Sequence, residues 1–379
     1  MGDTAQFHRG DAVSVVKGWC PGALRPMESG DGWVVRIRPL GGRLDAAQAD
    51  AIAYAATAHG NGVIELTGRA NLQLRGVTPD SHPKLIAALA DRGLIDADIA
   101  AETRRNIIVT PFADAETDAL AEALAARLAA SDLPLPAKFG FAVDTGAAPV
   151  LTRDPADIRI ERGRGGLLLR ADGLDHAAPL HRVDDALALA RWFLDMGGAT
   201  AGRGRMAALI ARGISPDATL PAPASATAPE PGTCVHGTLA ALEFGQIPPD
   251  TLRRLARLGP LRVTPWRMLL VQGARNLPQM PGLILDPTDP RLRLRACPGA
   301  PACPQAQAET RDLARSLAGL VPPGTVLHVS GCAKGCGWPR AADRTLTATP
   351  QGFDLIRHGR AADPAALRGL HSDQLPKVL

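Results

Sequence analysis

Four of the six cysteines in this 379-residue chain lie in two groups near its C-terminal end. Cys297 and Cys303 stand in Ala-Cys-Pro-Gly-Ala-Pro-Ala-Cys-Pro-Gln, and Cys332 and Cys336 in Gly-Cys-Ala-Lys-Gly-Cys-Gly. The pattern is C-x5-C, residues 304–331, then C-x3-C. Four thiolates on two loops are the donor set an iron–sulfur cluster needs, because soft sulfur ligands suit Fe–S centres. Structural zinc also takes four cysteines, usually in pairs two to four residues apart, so the gap of three fits and the gap of five does not. Two disulfides and unligated buried thiols are the other readings. No charged-then-apolar leader opens the sequence, which points to the cytoplasm, where disulfides are disfavoured. The expectation is a [4Fe–4S] cluster on Cys297, Cys303, Cys332 and Cys336. Cys20 and Cys234 have no partner at ligand spacing. Cys234 reads as a buried or incidental thiol, and Cys20 lies in the turn-rich run Gly-Trp-Cys-Pro-Gly.

The elements that must carry these loops follow from pattern and punctuation. Arg291–Arg295 reads as a strand leading to the first cysteine pair, Pro304 as the start of a helix to about Leu317, and Thr325–Ser330 as a strand delivering Cys332. Strand ends and loops let backbone wrap a cluster while rigid elements fix the ligands. Further upstream, Ser215–Thr233 is rich in proline and small residues and reads as a semi-extended linker. The parts it separates echo each other. Gly32–Arg38 reads as a strand, Asp45 caps a helix to about Ala58, and Val63–Leu66 and Leu72–Leu74 are strands. After the linker come a strand at Thr238–Phe244, a helix at Pro249–Leu258, and strands at Leu261–Val263 and Met268–Val271. Arg69 and Arg267 fall at the same joint of the two units, and Gly76 and Gly273 close them, so the order predicts a duplicated α+β unit. A second α+β stretch is expected after the first unit: a strand at Asn106–Thr110, a helix at Asp114–Ala130, a strand at Lys138–Asp144, a hairpin at 158–170 and a helix at Val183–Leu194.

Composition narrows the class. Charged residues make up 21% and apolar residues 46%, a globular proportion that excludes global disorder, and no apolar run approaches the ~20 residues of a membrane span. A formal charge of +4 is too slight to argue for nucleic acid. The length calls for two or three domains.

Cysteine spacing, the two-fold α+β order and three phrases together resemble the sulfite and nitrite reductase superfamily. The phrases are Leu-Thr-Gly-Arg-Ala-Asn-Leu-Gln (66–73), Arg-Arg-Asn-Ile-Ile-Val-Thr-Pro (104–111) and Pro-Ala-Lys-Phe-Gly (136–140). The resemblance runs from about Cys20 to Gly359. It implies an α+β fold with pseudo-two-fold symmetry, in which duplicated ferredoxin-like half-domains accompany reductase-type α+β domains. The expected boundaries are a first half-domain at 15–95, a first reductase-type domain at 96–214, the linker at 215–233, a second half-domain at 234–285 and a cluster-bearing domain at 286–379. In that family the last cysteine also bridges the cluster to sirohaem, which by motif position would be Cys336.

Within the superfamily, Cys-Pro-Gly-Ala-Leu-Arg-Pro-Met-Glu-Ser-Gly-Asp-Gly (20–32) and Ser-Gly-Cys-Ala-Lys-Gly-Cys (330–336) are similar to the branch that hydroxylates a precorrin in aerobic cobalamin biosynthesis. That resemblance implies an O2-dependent monooxygenase acting on precorrin-3A, hydroxylating a meso carbon and closing a lactone. It also implies a mononuclear non-haem iron beside the cluster. Gly140 stands where the oxyanion reductases carry a second lysine, and Lys334 where they commonly carry asparagine; both departures speak against sulfite reduction. Sirohaem is the expected cofactor only for the rival reading, a sulfite or nitrite reductase. A third reading is a non-catalytic electron carrier or tetrapyrrole-binding module.

Arg69, Arg105 and Lys138 fall on the family's cation positions, and Asn71 joins them as a candidate substrate-binding residue. Precorrin carboxylates suit bidentate guanidinium pairing, at ~1.5–3 kcal/mol per charge-assisted hydrogen bond. Arg36, Arg38 and Arg75 are weaker candidates, with solvated ion pairs as the bland alternative for the cations; Asn71 and Gln73 could hydrogen-bond a carboxylate or simply stabilise a turn. Partners implied are the precorrin, O2 and an external electron donor (a reductase or reduced-nicotinamide system), because no GxGxxG strand–turn–helix is present. No nucleic-acid or membrane partner is expected. Nine histidines offer no helical i, i+4 pair; His176 and His181, near Asp172 and Asp175, read as a solvated turn, and the ligands of a second iron are left unassigned.

Overall fold

A computed structural model describes residues 21–379; Cys20 lies outside them. The described residues fall into two compact units, one ending at Leu292 and one running Arg293–Leu379.

In the first unit, β1 (Met27–Ser29), β2 (Gly32–Ile37) and β3 (Arg43–Leu44) precede α1 (Ala46–His59), β4 (Ile64–Leu66) and β5 (Leu72–Val77). The chain continues through α2 (His82–Ala90), α3 (Ile99–Arg104), β6 (Ile107–Val109), α4 (Ala115–Ala130), β7 (Phe141–Asp144), β8 (Ile158–Gly163), β9 (Gly166–Ala171), β10 (His176–Pro179), α5 (Asp184–Asp195) and α6 (Met206–Ile210). Then come β11 (Leu220–Pro221), β12 (Gly232–Cys234), β13 (Gly237–Leu242), β14 (Gln246–Ile247), α7 (Pro249–Leu258), β15 (Leu261–Val263), β16 (Met268–Gln272) and β17 (Leu283–Ile284).

The expected duplication is present, and it interlocks. One sheet runs β1-β2-β5-β4-β14 and its counterpart β12-β13-β16-β15-β3, with β17 also on β13. The short strand of each half completes the sheet of the other: Ile247 pairs Ile64, and Leu44 pairs Leu261. α1 starts where Asp45 closes a capping box with Gln48, whose backbone N–H reaches the carboxylate at 2.7 Å. α7 starts at a Pro-Pro step and ends at Gly259. Both helices bury one face, through Ile52, Ala53 and Ala56 and through Leu252, Leu255 and Ala256. These share a single core with Val35, Ile37, Leu72, Leu74, Leu269 and Val271. Each fully buried valine, leucine or isoleucine among them contributes about 1.5–3 kcal/mol of burial.

A third sheet runs β11-β10-β9-β8-β7-β6, parallel across β6, β7 and β8. Its first strand comes from the Pro-rich stretch read as a linker, where Leu220 pairs Ala177 and the Ala226 N–H reaches the Pro149 carbonyl at 2.8 Å. Proline at a sheet edge costs no ladder bond, which is why this composition is tolerated there.

The second unit holds β18 (Leu294–Ala296), α8 (Arg311–Leu317), β19 (Leu327–Ser330), β20 (Ala342–Thr349), β21 (Gly352–Gly359) and β22 (Leu367–Leu370) in sheet order. β18, β19 and β20 are parallel, and the rest antiparallel. The helix expected from Pro304 begins seven residues later, at Arg311. Residues 304–310 use their backbone elsewhere: the Gln307 N–H reaches the Gly331 carbonyl at 2.7 Å, and the Ala308 carbonyl accepts from Ala300. Among the described residues no helix is long and apolar enough to cross a membrane.

Candidate functional site

β18 and β19 are parallel neighbours, so their C-terminal ends lie side by side, and there the two cysteine loops begin. The Gly331 N–H points at Cys297 Sγ, 3.2 Å away, while Thr310 Oγ1 donates to the Cys297 carbonyl at 2.6 Å and Ser330 Oγ to the Cys332 carbonyl at 2.7 Å. A Cβ on Gly337 would stand 2.7 Å from the Cys297 backbone nitrogen, so only glycine allows the loops to pass this closely. Gly299, at φ +70, turns the first loop in a conformation other residues avoid.

Cys297 is buried, Cys303 and Cys332 half-buried, and Cys336 has the most solvent contact. The protein mass around Cys336 nonetheless pushes its thiol up. Lys334 pulls the other way, while Cys297, Cys332 and Cys303 add to the rise. Among the described residues no three His, Cys, Asp or Glu side chains are already gathered into a metal-binding group, these four included. The donor set, the interlocked loops and an N–H aimed at sulfur fit a cluster held by thiolates. Among the described residues no comparable set is present for a mononuclear iron, and no ligand is assigned to one.

The cation candidates lie in the first unit, where the fold brings three separated phrases together. Arg69 sits in a turn built on Thr67, whose Oγ1 accepts from the N–H groups of Arg69 and Asn71, both at 3.3 Å. Arg69 Nη2 donates to the Lys138 carbonyl at 3.1 Å. A Cβ on Gly140 would meet the Asn106 carbonyl at 3.0 Å and Asn106 Nδ2 at 3.1 Å, so the bare glycine lets Asn106 pass closely, with Arg69 Nη1 in ordinary contact at 3.4 Å. Asn106 Nδ2 holds the Phe139 carbonyl at 2.9 Å, and Asp157 accepts the Gly140 N–H at 2.9 Å. Burial pushes the Asp157 carboxyl up, against the hydrogen bond from Arg205 that lowers it. Asn71 is buried behind the turn and Lys138 is exposed.

Other cations are committed to protein partners. Arg105 forks onto Asp96 through Nε and Nη2 at 2.6 and 2.8 Å, and Nη2 also donates to the Arg38 carbonyl at 2.9 Å. Arg38 donates to the Glu102 carbonyl at 2.5 Å, and Arg75 forks onto Asp31 at 2.7 and 2.8 Å. Arg36, Gln73, Glu65 and Gln246 form a ladder across four strands, with Gln73 accepting from Arg36 and donating to Glu65. Gln73 is thus a sheet bridge. Asp96, Glu102, Asn106 and Asp157 carry no signal in the sequence, since Glu102, Asn106 and Asp157 act through partners far along the chain and Asp96 through a non-periodic pairing with Arg105. Glu102 carries the most: it receives the Ala23 and Leu24 N–H groups, and a Cβ on Gly22 would meet its carboxylate at 2.1 Å. The Pro21–Leu24 part of the 20–32 phrase is therefore a docking segment. His176 opens β10, and His181 lies in the short loop before α5.

Residues 25–92 match the nitrite/sulfite reductase ferredoxin-like half domain. Over 93% of its length the chain is 29% identical to a precorrin-3B synthase of Sinorhizobium, covering 85% of that protein. It is 26% identical to a ferredoxin–nitrite reductase of Synechococcus elongatus, over 94% of this chain and 86% of the other. Among solved structures, the NirA protein of Mycobacterium tuberculosis shares the fold at a TM-score of 0.65 and 18% identity, over 91% of this chain and 79% of that one. In its half domain, its fold and its relatives, the chain is similar to the sulfite and nitrite reductase superfamily.

Proposed function

We propose that this protein is a precorrin-3B synthase, an oxidoreductase that uses O2 to hydroxylate a meso carbon of precorrin-3A, with lactone closure by a ring acetate. The observation that carries the reading is the near full-length similarity to the Sinorhizobium enzyme. The Arg69–Asn106–Gly140 junction supports it, as a cationic turn built from three distant phrases. Monooxygenation puts one oxygen atom on the carbon and reduces the other to water, so two electrons must arrive from an external donor.

In this reading Cys297, Cys303, Cys332 and Cys336 hold a [4Fe–4S] cluster, which when bound supplies single-electron transfer. The chain's own residues supply binding and orientation. Arg69 pairs with a peripheral carboxylate of the macrocycle, held at its turn by Thr67 and against the Lys138 carbonyl. Asn71 and Lys138 flank it as further polar contacts. A macrocycle fixed at its rim presents one bridge carbon to the oxidant in every turnover. The domain boundaries for this arrangement are those expected from sequence, with the cluster within 286–379 and the binding turn within 15–95.

The test is anaerobic purification with iron and acid-labile sulfide counted on one sample, followed by conversion of precorrin-3A under 18O2. One labelled oxygen in the product, with a broad cluster absorption and no sirohaem bands, is the expected result. Similarity to the nitrite reductase favours a second reading, a sirohaem-dependent reductase; sharp sirohaem bands and nitrite or sulfite turnover would establish that instead.

A further inference from the structure

We propose that Asp96 is a positioning residue that sets specificity: by filling the fork of Arg105 it closes the neighbouring cleft to small oxyanions. The cleft is walled by Arg38, Gly41, Arg105, Ile107, Val109 and Ala121. Arg38 and Arg105 line it beside Ile107, Val109 and Ala121, an arrangement that would attract an anion if either charge were free. Neither is. Arg105 and Asp96 share side chains only 13% exposed, and both carboxylate oxygens are engaged by one guanidinium edge. The same Nη2 also holds the Arg38 carbonyl. Arg38 stands 3.8 Å from Glu102, itself buried. Each cation in the wall thus has its own carboxylate.

The bidentate edge that Asp96 occupies is the edge a sulfite or nitrite would use, since planar forks match two oxygens of an oxyanion. An incoming oxyanion must displace two charge-assisted bonds to gain two. A neutral co-substrate meets no such competition. The local fold holds Asp96 in place: two residues on, Asp98 caps α3 by accepting the Ala101 N–H at 2.7 Å, and Arg105 ends that helix. The pair therefore spans one short helix from end to end, which a purely structural staple would also do. Anion affinity separates the two roles.

The experiment titrates sulfite, and separately nitrite, into the full-length protein without added cofactor, by calorimetry, with melting temperature recorded for each variant. The wild type and Asp96→Glu are expected to bind neither anion measurably at millimolar concentrations. Asp96→Asn should bind about ten- to a hundredfold more tightly than the wild type. The double variant Asp96→Asn/Arg105→Gln should lose that gain. Equal binding by the wild type and Asp96→Asn, or a gain that survives loss of Arg105, overturns the proposal. If Asp96→Asn does not fold, Asp96→Ser carries the same reading. The inference rests on Arg105 belonging to the reaction site, yet its readout is independent of precorrin. Failure to turn over precorrin-3A with the oxyanion series as expected would sink the proposed function and leave this assignment standing.

Discussion

The β6–β11 sheet and the β18–β22 sheet begin alike: three parallel strands, a helix between the first two, then an antiparallel turn-back. In strand order Thr110 follows β6 where Cys297 follows β18, and Asp144 and Thr145 stand at the end of β7 where Ser330 and Gly331 stand at the end of β19. One strand end collects soft sulfur. The other collects oxygen and satisfies it internally: Thr117 and Thr145 hydroxyls meet at 2.6 Å, and Asp144 accepts the Val150 and Leu151 N–H groups at 2.6 and 2.8 Å. The same scaffold position is a ligand set in one copy and a closed polar plug in the other. What differs is whether the loop that follows brings donors for its own use or leaves them facing inward.

The largest break of this comparison is on the sulfur side. Cys297→Ser should lose nearly all acid-labile sulfide, measured with iron on anaerobically purified protein, because a hard hydroxyl replaces a thiolate. Thr110→Val, at the matching position, should keep sulfide at the wild-type level. Next, Asp144→Ala leaves one buried and one half-buried backbone N–H unpaired and should cost about 2–4 kcal/mol in denaturant unfolding, whereas Asp144→Asn, which keeps one acceptor oxygen, should cost about half of that. Thr145→Val removes a single hydroxyl contact, for about 1 kcal/mol.

The smallest effect is a pH trend. Burial pushes the Asp144 carboxyl above its ordinary value of 3.8, outweighing the backbone hydrogen bonds that lower it. A raised acid binds its proton more tightly in the folded chain. The stability it contributes is full below 3.8 and declines as pH rises through the folded value. The wild type should therefore lose stability relative to Asp144→Asn as pH climbs from the acid side toward neutral. A difference that grows with pH would contradict the assignment.

How far sequence could see depended on the range of the interaction. The capping box of Asp45 and Gln48 and the limits of α7 are local, and both were legible. Cysteine spacing is local within each pair, which is why the candidate ligands could be named. The early start expected at Pro304 failed because Gln307 is claimed by Gly331 across the loop pair. Arg69 and Arg267 do share the strand-to-strand joint, one residue out of register. Thr264 builds the same turn as Thr67, accepting from Trp266 and Met268, so Trp266 matches Arg69 and Arg267 matches Ala70. Both Ala70 and Arg267 have positive φ, which confirms that register. Asp96 pairing with Arg105, and Glu102 with the Ala23 segment, leave no periodic trace; only the folded chain shows which of several carboxylates an arginine takes.

The crossing of β3 and β14 into each other's sheets reaches beyond packing. Two identical subunits that traded a strand would make this arrangement, with one two-fold axis and each protomer incomplete without its partner. Here both copies lie on one polypeptide, so a partner can no longer be lost by dilution, and the copies are free to diverge. The buried position that is Glu65 in one sheet is Arg262 in the other, and the latter is paired with Asp118. Carried on one chain, the two halves offer two surfaces that can specialise separately. Separate expression of the two halves should therefore yield chains that fold only when mixed.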